Sequence, residues 1–300
     1  FYTVSRLMTA VQGALIPVVA WFIARRFKQI NFSWAAALLF IFYPPFVLHS
    51  HYVTVDIPLT LFTMLVILAS HTYLASRKTV WLILACLLVA VAGMEKYPGL
   101  LSYGIVLVTI GISAFTRDKQ GQSPGWGFFL KTTAWSLVLT AFFIVIIAPS
   151  LFVNYDFAWN QIVNEARPTH LGSDGLGWGG NLWFYLKEFF TNAGLVISLF
   201  GIIGIVAAIL LKDPSILLLF FGGGYWLALS ILYLHWSRWS LPMMTTPLFL
   251  AAIGSAFIWQ KARGKVFAKV GVLLVLAVGF VPFTLKGIVT SIMLTWADTR

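Results

Sequence analysis

Apolar stretches of about 20 residues, the length that carries a helix across the bilayer core, recur along this whole chain with mostly short polar segments between them. In hydrocarbon every backbone N–H and C=O needs a partner within the protein, and for an open chain that solution is the α-helix. The fold class that follows is all-α: a polytopic transmembrane helical protein of about ten spans, forming a single domain over residues 1–300. The expected spans are Arg6–Ala24, Ser33–His49, Val55–Ala75, Val80–Met94, Pro98–Phe115, Phe129–Val153, Leu195–Leu211, Ser215–His235, Leu241–Trp259 and Val266–Leu285. Composition agrees: 60% of residues are hydrophobic and 10% charged, well beyond a soluble domain. The formal net charge of +11 would suggest nucleic acid on a soluble chain. On a membrane chain it reflects topology and attraction to anionic lipid headgroups, so membrane lipids and no nucleic acid are the expected partners. Cys86, the only cysteine, lies in an apolar run, which excludes a disulfide and a thiolate metal cluster. The chain opens at Phe1 without a signal-peptide pattern and reads as lacking its N-terminal segment.

Alternating the spans puts Arg25, Arg26, Lys28, Arg77, Lys78, Arg117, Lys119, Lys131, Lys212, Lys261, Arg263, Lys265 and Lys269 on one side, thirteen of the 20 basic residues. The positive-inside rule makes that side cytoplasmic. Asp56, Glu95, Asp156, Glu165, Asp174, Glu188 and Asp298 fall on the other side, seven of the nine acids, so any chemistry belongs to the outer face of the cytoplasmic membrane. The one long loop, about 154–192, is external too. Its Trp159, Trp178, Trp183, Tyr155, Phe157 and Tyr185 argue for an ordered lid rather than disorder. Within it, residues 185–190 read as a short amphipathic helix lying in the interface.

Several residues can carry chemistry there. Asp56 precedes Pro58 in the first turn of a span, where a carboxylate either caps the helix or belongs to a site, because ionisable groups at membrane depth are costly. His49 and His51, just before it, suit either ligands of a divalent metal beside Asp56 or plain interfacial histidines. Glu95 and Lys96 close one span before Pro98 and Gly99. The Lys96 ammonium either pairs with Glu95 or snorkels to headgroups, or it holds a lipid phosphate. His235 and Arg238 lie among Trp236 and Trp239 at the outer ends of two spans, where an arginine is either a membrane anchor or a fork for phosphate oxygens. Glu165, Arg167 and His170 add an acid, a cation and a base from the long loop.

Taken in order, these segments resemble the GT-C integral-membrane glycosyltransferases, in the group of protein O-mannosyltransferases and lipid A aminoarabinose transferases. Ser5-Arg6-Leu7 through Ala24-Arg25-Arg26 is similar to the family's second transmembrane helix. Tyr52-Val53-Thr54-Val55-Asp56-Ile57-Pro58 resembles the acid-bearing segment of its second external loop. Ala92-Gly93-Met94-Glu95-Lys96-Tyr97-Pro98-Gly99-Leu100 resembles its Gly-containing helix end followed by lysine, and Arg238-Trp239-Ser240-Leu241-Pro242 its Arg-aromatic-x-x-Pro motif. Two positions depart from the pattern: Trp239 stands where Tyr is common, and Thr245 where a second Pro is often found.

The resemblance implies transfer of a sugar from a polyprenyl-phosphate donor to a lipid, glycan or protein acceptor outside the cytoplasmic membrane. Asp56 is then the catalytic-site acid, Lys96 and Arg238 bind the donor phosphate, and Glu165, Arg167 and His170 belong to a substrate loop. His51, Glu95 and His235 are accessory groups. The family's general-base acid lies in a first external loop that precedes this sequence, so no residue here is assigned to it. The competing class is a secondary transporter or flippase, which places its ionisable groups near the midplane and within internal repeats. No such repeat is visible here.

Overall fold

The computed structural model describes residues 2–27, 30–116, 122–165 and 176–296. Thirteen α-helices make up the described chain, with 3-10 turns at Tyr97–Ser102, Pro214–Phe220 and Ser237–Ser240. In order they are α1 (Tyr2–Ala24), α2 (Ser33–Phe42), α3 (Pro44–Ser50), α4 (Asp56–Ser76), α5 (Thr79–Glu95), α6 (Tyr103–Phe115) and α7 (Gly125–Ile147). There follow α8 (Ser150–Val153), α9 (Tyr155–Glu165), α10 (Gly177–Leu211), α11 (Phe221–Ser230), α12 (Leu241–Lys261) and α13 (Val266–Trp296).

Among the described residues, seven helical segments are long and apolar enough to cross a membrane, eight when α2 and α3 count as one bent span, which corrects the expectation of about ten. The two remaining expected spans are α5, with 17 residues, and the run Pro214–Ser230, both short for a full crossing. The 56° bend between α2 and α3 has a local cause. Tyr43 precedes Pro44, whose ring crowds the residue before it out of the helical region, and Tyr43 accordingly lies at φ −65°, ψ 112°.

Helices α4 and α12 are the most enclosed, and α7 and α13 turn rows of exposed Leu, Val, Ile and Phe outward, as lipid-facing helices do. Small residues set the closest approaches. A Cβ on Gly204 of α10 would collide with the Leu250 backbone of α12, and one on Gly254 would collide with the Phe200 carbonyl, so this pair meets backbone to backbone. Of the triplet Gly222-Gly223-Gly224, it is Gly222 that packs tightly, against Met243 and Thr246 of α12. Its N–H donates to Thr246 Oγ1 at 2.9 Å.

Residues 185–190 are not a separate interfacial helix. They belong to the first half of α10, with Tyr185 and Phe189 buried in the core. The second half, from Leu195, is the expected span. Between them Gly194 adopts φ 78°, ψ 167°, a conformation essentially restricted to glycine, and the helix breaks there. Lys286 of α13 donates to the Thr191 carbonyl at 2.7 Å, supplying a partner next to that break.

Helix order brings like ends together. Arg77, in a left-handed conformation at the end of α4, donates to the Ser113 carbonyl near the end of α6 at 3.5 Å. The start of α4 and the end of α5 therefore lie at the opposite end of the bundle, where Asp56 and Lys96 meet.

Candidate active site

Asp56 is the first residue of α4, directly after Val55 at the N-cap position. The carboxylate is 1% exposed and takes a 2.8 Å ion pair from Lys96 Nζ to Oδ1. A buried carboxylate is tolerable only with such a partner. Lys96 is placed by the way α5 ends. Its backbone turns extended at φ −162°, its N–H still bonds the Ala92 carbonyl, and Pro98 starts the 3-10 turn that follows. Gly99 lets that turn rest on the end of α5, because a Cβ there would overlap the backbone of Ala92 and Gly93. The motif Gly93 to Gly99 is thus the geometry that swings Lys96 across to α4. Glu95 ends α5 half-buried, and the carboxylate that meets Lys96 lies on a different helix.

Arg238 arrives from the far end of the chain, in the 3-10 turn before α12, with Nε 3.9 Å from Asp56 Oδ2. Its side chain is 45% exposed, against 18% for Lys96, so the arginine forms the open side of the cluster. Each cation rests on an indole: Lys96 Nζ lies 4.9 Å from the Trp239 ring centre, and Arg238 Cζ 5.0 Å from that of Trp236. The loop that carries Arg238 and both tryptophans is tied to the first half of α10. Asn181 Nδ2 donates to the Leu232 carbonyl at 2.6 Å, Trp226 Nε1 donates to the Leu182 carbonyl at 3.2 Å, and Tyr185 interacts with the Trp236 backbone.

Three residues singled out in the sequence thus converge, although 40 and 182 positions separate Lys96 and Arg238 from Asp56. The accessory residues divide. His235 packs edge-on to Phe184, 4.4 Å between ring centres. His51 turns away from the cluster: its Nδ1 meets the Val47 carbonyl at 2.8 Å, its own carbonyl accepts from Arg6 Nε at 3.0 Å, and it lines a separate apolar groove against α1. His49 instead lies within electrostatic reach of Asp56 and Arg238, with Nδ1 buried and without a hydrogen-bond partner. The side chain of Glu165, and Arg167 and His170 entirely, lie outside the described residues. Tyr225 of α11 went unnoticed in the sequence. It is buried, within electrostatic reach of Asp56, Tyr97 and Tyr185, and nothing separates it in the sequence from the core aromatics of an apolar span.

Tyr225 also lines an apolar groove of about 460 Å³. Its walls are Leu101, Gly104, Ile105 and Val108 on one side and Leu217, Leu218, Phe220, Phe221 and Gly224 on the other. Tyr225 thus lines this apolar groove and lies within electrostatic reach of Asp56.

A divalent ion at Asp56 fits this arrangement poorly. Among the described residues no three His, Cys, Asp or Glu side chains come together to hold a metal. The carboxylate that would lead such a set already faces two cations.

Residues 2–123 match the family model described as dolichyl-phosphate-mannose-protein mannosyltransferase. Among solved structures, ArnT from Cupriavidus metallidurans bound to undecaprenyl phosphate superposes with a TM-score of 0.64 at 18% identity, over 98% of this chain and 58% of that one. The archaeal oligosaccharyltransferase AglB from Archaeoglobus fulgidus, in complex with an inhibitory peptide and a dolichol-phosphate, superposes with a TM-score of 0.61 at 13% identity, over 96% of this chain and 45% of that one. No curated protein matches the sequence. The fold is that of the GT-C membrane glycosyltransferases. The match to the mannosyltransferase family model is confined to residues 2–123, and the chain spans about half the length of these solved relatives.

Proposed function

We propose that the chain is the membrane core of a glycosyltransferase that moves a sugar from a polyprenyl-phosphate donor to a hydroxyl of a lipid, glycan or protein acceptor at the outer face of the cytoplasmic membrane. The observation that carries this reading is the meeting of Lys96 and Arg238 at Asp56, with Tyr225, which lines the apolar groove, within electrostatic reach of that carboxylate. An isoprenoid chain suits the groove, and its phosphate suits the two cations. ArnT bound to undecaprenyl phosphate and AglB bound to a dolichol-phosphate lend support from the same fold.

In the reaction the acceptor oxygen attacks the anomeric carbon as the bond to the donor phosphate breaks. The phosphate leaves with the bonding pair, and the hydroxyl proton passes to a base. Negative charge grows on the leaving phosphate, so cations placed there stabilise the transition state more than the ground state. Lys96 and Arg238 take that role. Asp56 orients the acceptor hydroxyl by accepting its hydrogen bond, and the aromatic segment around α9 covers the sugar and keeps water out. A transporter is the weaker reading, because the ionisable groups cluster at one end of the bundle rather than at its middle.

The test is release of polyprenyl phosphate from a polyprenyl-phosphate sugar by the full-length protein in liposomes. Transfer is expected in the wild type and lost in Asp56→Asn at unchanged accumulation. Movement of the intact donor between leaflets without glycosidic cleavage would return the protein to the transporter class.

A further inference from the structure

The buried carboxylate and the two cations already face one another without substrate. Asp56 Oδ1 binds Lys96 at 2.8 Å, and Oδ2 faces Arg238 at 3.9 Å. On the proposed reading these are the groups that receive the donor phosphate. A phosphate entering the cluster therefore finds its cations already facing an anion that is 1% exposed and fixed at the start of α4.

We propose that Asp56 is a stand-in for the donor phosphate: in the substrate-free protein it occupies the anion position between Lys96 and Arg238, and the donor displaces it. This deepens, and rests on, the reading of the site as a lipid-phosphate glycosyltransferase. The two cations differ in how readily they change partner. Arg238 is the looser and more exposed, and it turns to the phosphate first. Lys96, held over Trp239, follows by a small swing of its ammonium.

Two consequences follow from charge alone. Once its cations have turned away, Asp56 has free lone pairs in a buried place, a state that is costly until a hydroxyl donates a hydrogen bond to it. The acceptor hydroxyl is that group, so the acceptor site forms only after the donor is bound, and binding is ordered. The second consequence concerns the product. The donor phosphodiester carries one negative charge, which together with Asp56 balances the two cations. The polyprenyl phosphate left after transfer is a monoester with about −1.5 to −2 charge at neutral pH, which leaves excess negative charge beside the Asp56 carboxylate. The carboxylate that made way for the substrate thereby pushes the product out.

The experiment measures binding of undecaprenyl phosphate, with undecaprenol as the phosphate-free control, to the full-length protein in nanodiscs. Asp56→Asn removes the competing charge at nearly the same volume, and affinity for undecaprenyl phosphate should rise on the order of tenfold, within the usual range of coupling between groups that share partners. Undecaprenol affinity should not change. Asp56→Ser gives the same comparison should the asparagine variant fail to accumulate. Equal or weaker phosphate binding in the charge-free variants would overturn the proposal, since Asp56 would then hold the cations in place for the phosphate rather than contend for them. If the wild type already fails to prefer undecaprenyl phosphate over undecaprenol, the lipid-phosphate reading itself falls and takes this inference with it. Tight wild-type binding with no gain in the variants removes the competition alone.

Discussion

Trp239 stands under the Lys96 ammonium at 4.9 Å, and Trp236 under the Arg238 guanidinium at 5.0 Å. An aromatic face is attracted to a cation without neutralising it, so each indole holds a charge in position and leaves it available to a phosphate. Replacing Trp239 by Leu removes an interaction of about 0.5–2 kcal/mol. Donor-dependent turnover should then fall roughly threefold to thirtyfold, at unchanged protein accumulation. Trp239→Tyr should recover most of the loss; equal loss in both variants would make the residue a packing element only. Lys96 and Arg238 meet the same carboxylate, and on the proposed reading serve the same phosphate. Lys96→Gln and Arg238→Gln should therefore show non-additive losses in a double-mutant cycle with a polyprenyl-phosphate sugar. Additive losses no larger than that of Lys261→Gln, at the other end of the bundle, would make both residues membrane anchors. These charged residues were legible in the sequence for one physical reason: an ion at a span end is expensive, so it stands out. Tyr225 was not, because a tyrosine in an apolar span carries no such signature. The partner of Lys96 was not legible either. The sequence offers the adjacent Glu95, while the turn at Pro98 and Gly99 carries the ammonium to Asp56.

At the level of elements, the break in α10 has the most leverage. The first half of that helix grips the loop before Arg238 through Asn181, and the second half packs on α12 through Gly204. Gly194 permits the change of direction between them at φ 78°, ψ 167°. An alanine there costs on the order of 1–3 kcal/mol of backbone strain. Gly194→Ala is thus expected to lower thermal stability measurably, and to impair turnover by moving the loop that carries Arg238. Gly271→Ala, where a Cβ meets open space, should lack the effect on the site. An unchanged melting temperature in Gly194→Ala would mean that the helix tolerates a continuous path. Periodic apolarity located the second half of α10 but could not join the amphipathic residues 185–190 to it, because the broken helix changes which face is buried. The same limit explains the span count. A run of apolar residues reveals composition, whereas the bend at Pro44 and the 3-10 turns at 97–102 and 214–220 determine how far each element advances.

Over the whole molecule, the bundle has one end with Asp56, Lys96 and Arg238 and another with Arg77 and Ser113. The basic residues counted along the sequence favour the second end as cytoplasmic. Single cysteines at Asn154 and Arg263, in a chain with Cys86→Ala, should be labelled by a membrane-impermeant thiol reagent from opposite sides, Asn154 from outside. Labelling of both from one side would overturn the topology. The groove between α6 and residues 217–225 is walled by exposed apolar side chains, Leu101, Val108 and Leu217 among them. A substrate that enters there never dissolves in the aqueous phase. The quantity that sets its supply is the number of donor molecules per unit area of leaflet. On the proposed reading, spreading the same donor through more inert lipid at constant bulk concentration therefore starves the site, and the protein samples its substrate as a two-dimensional gas.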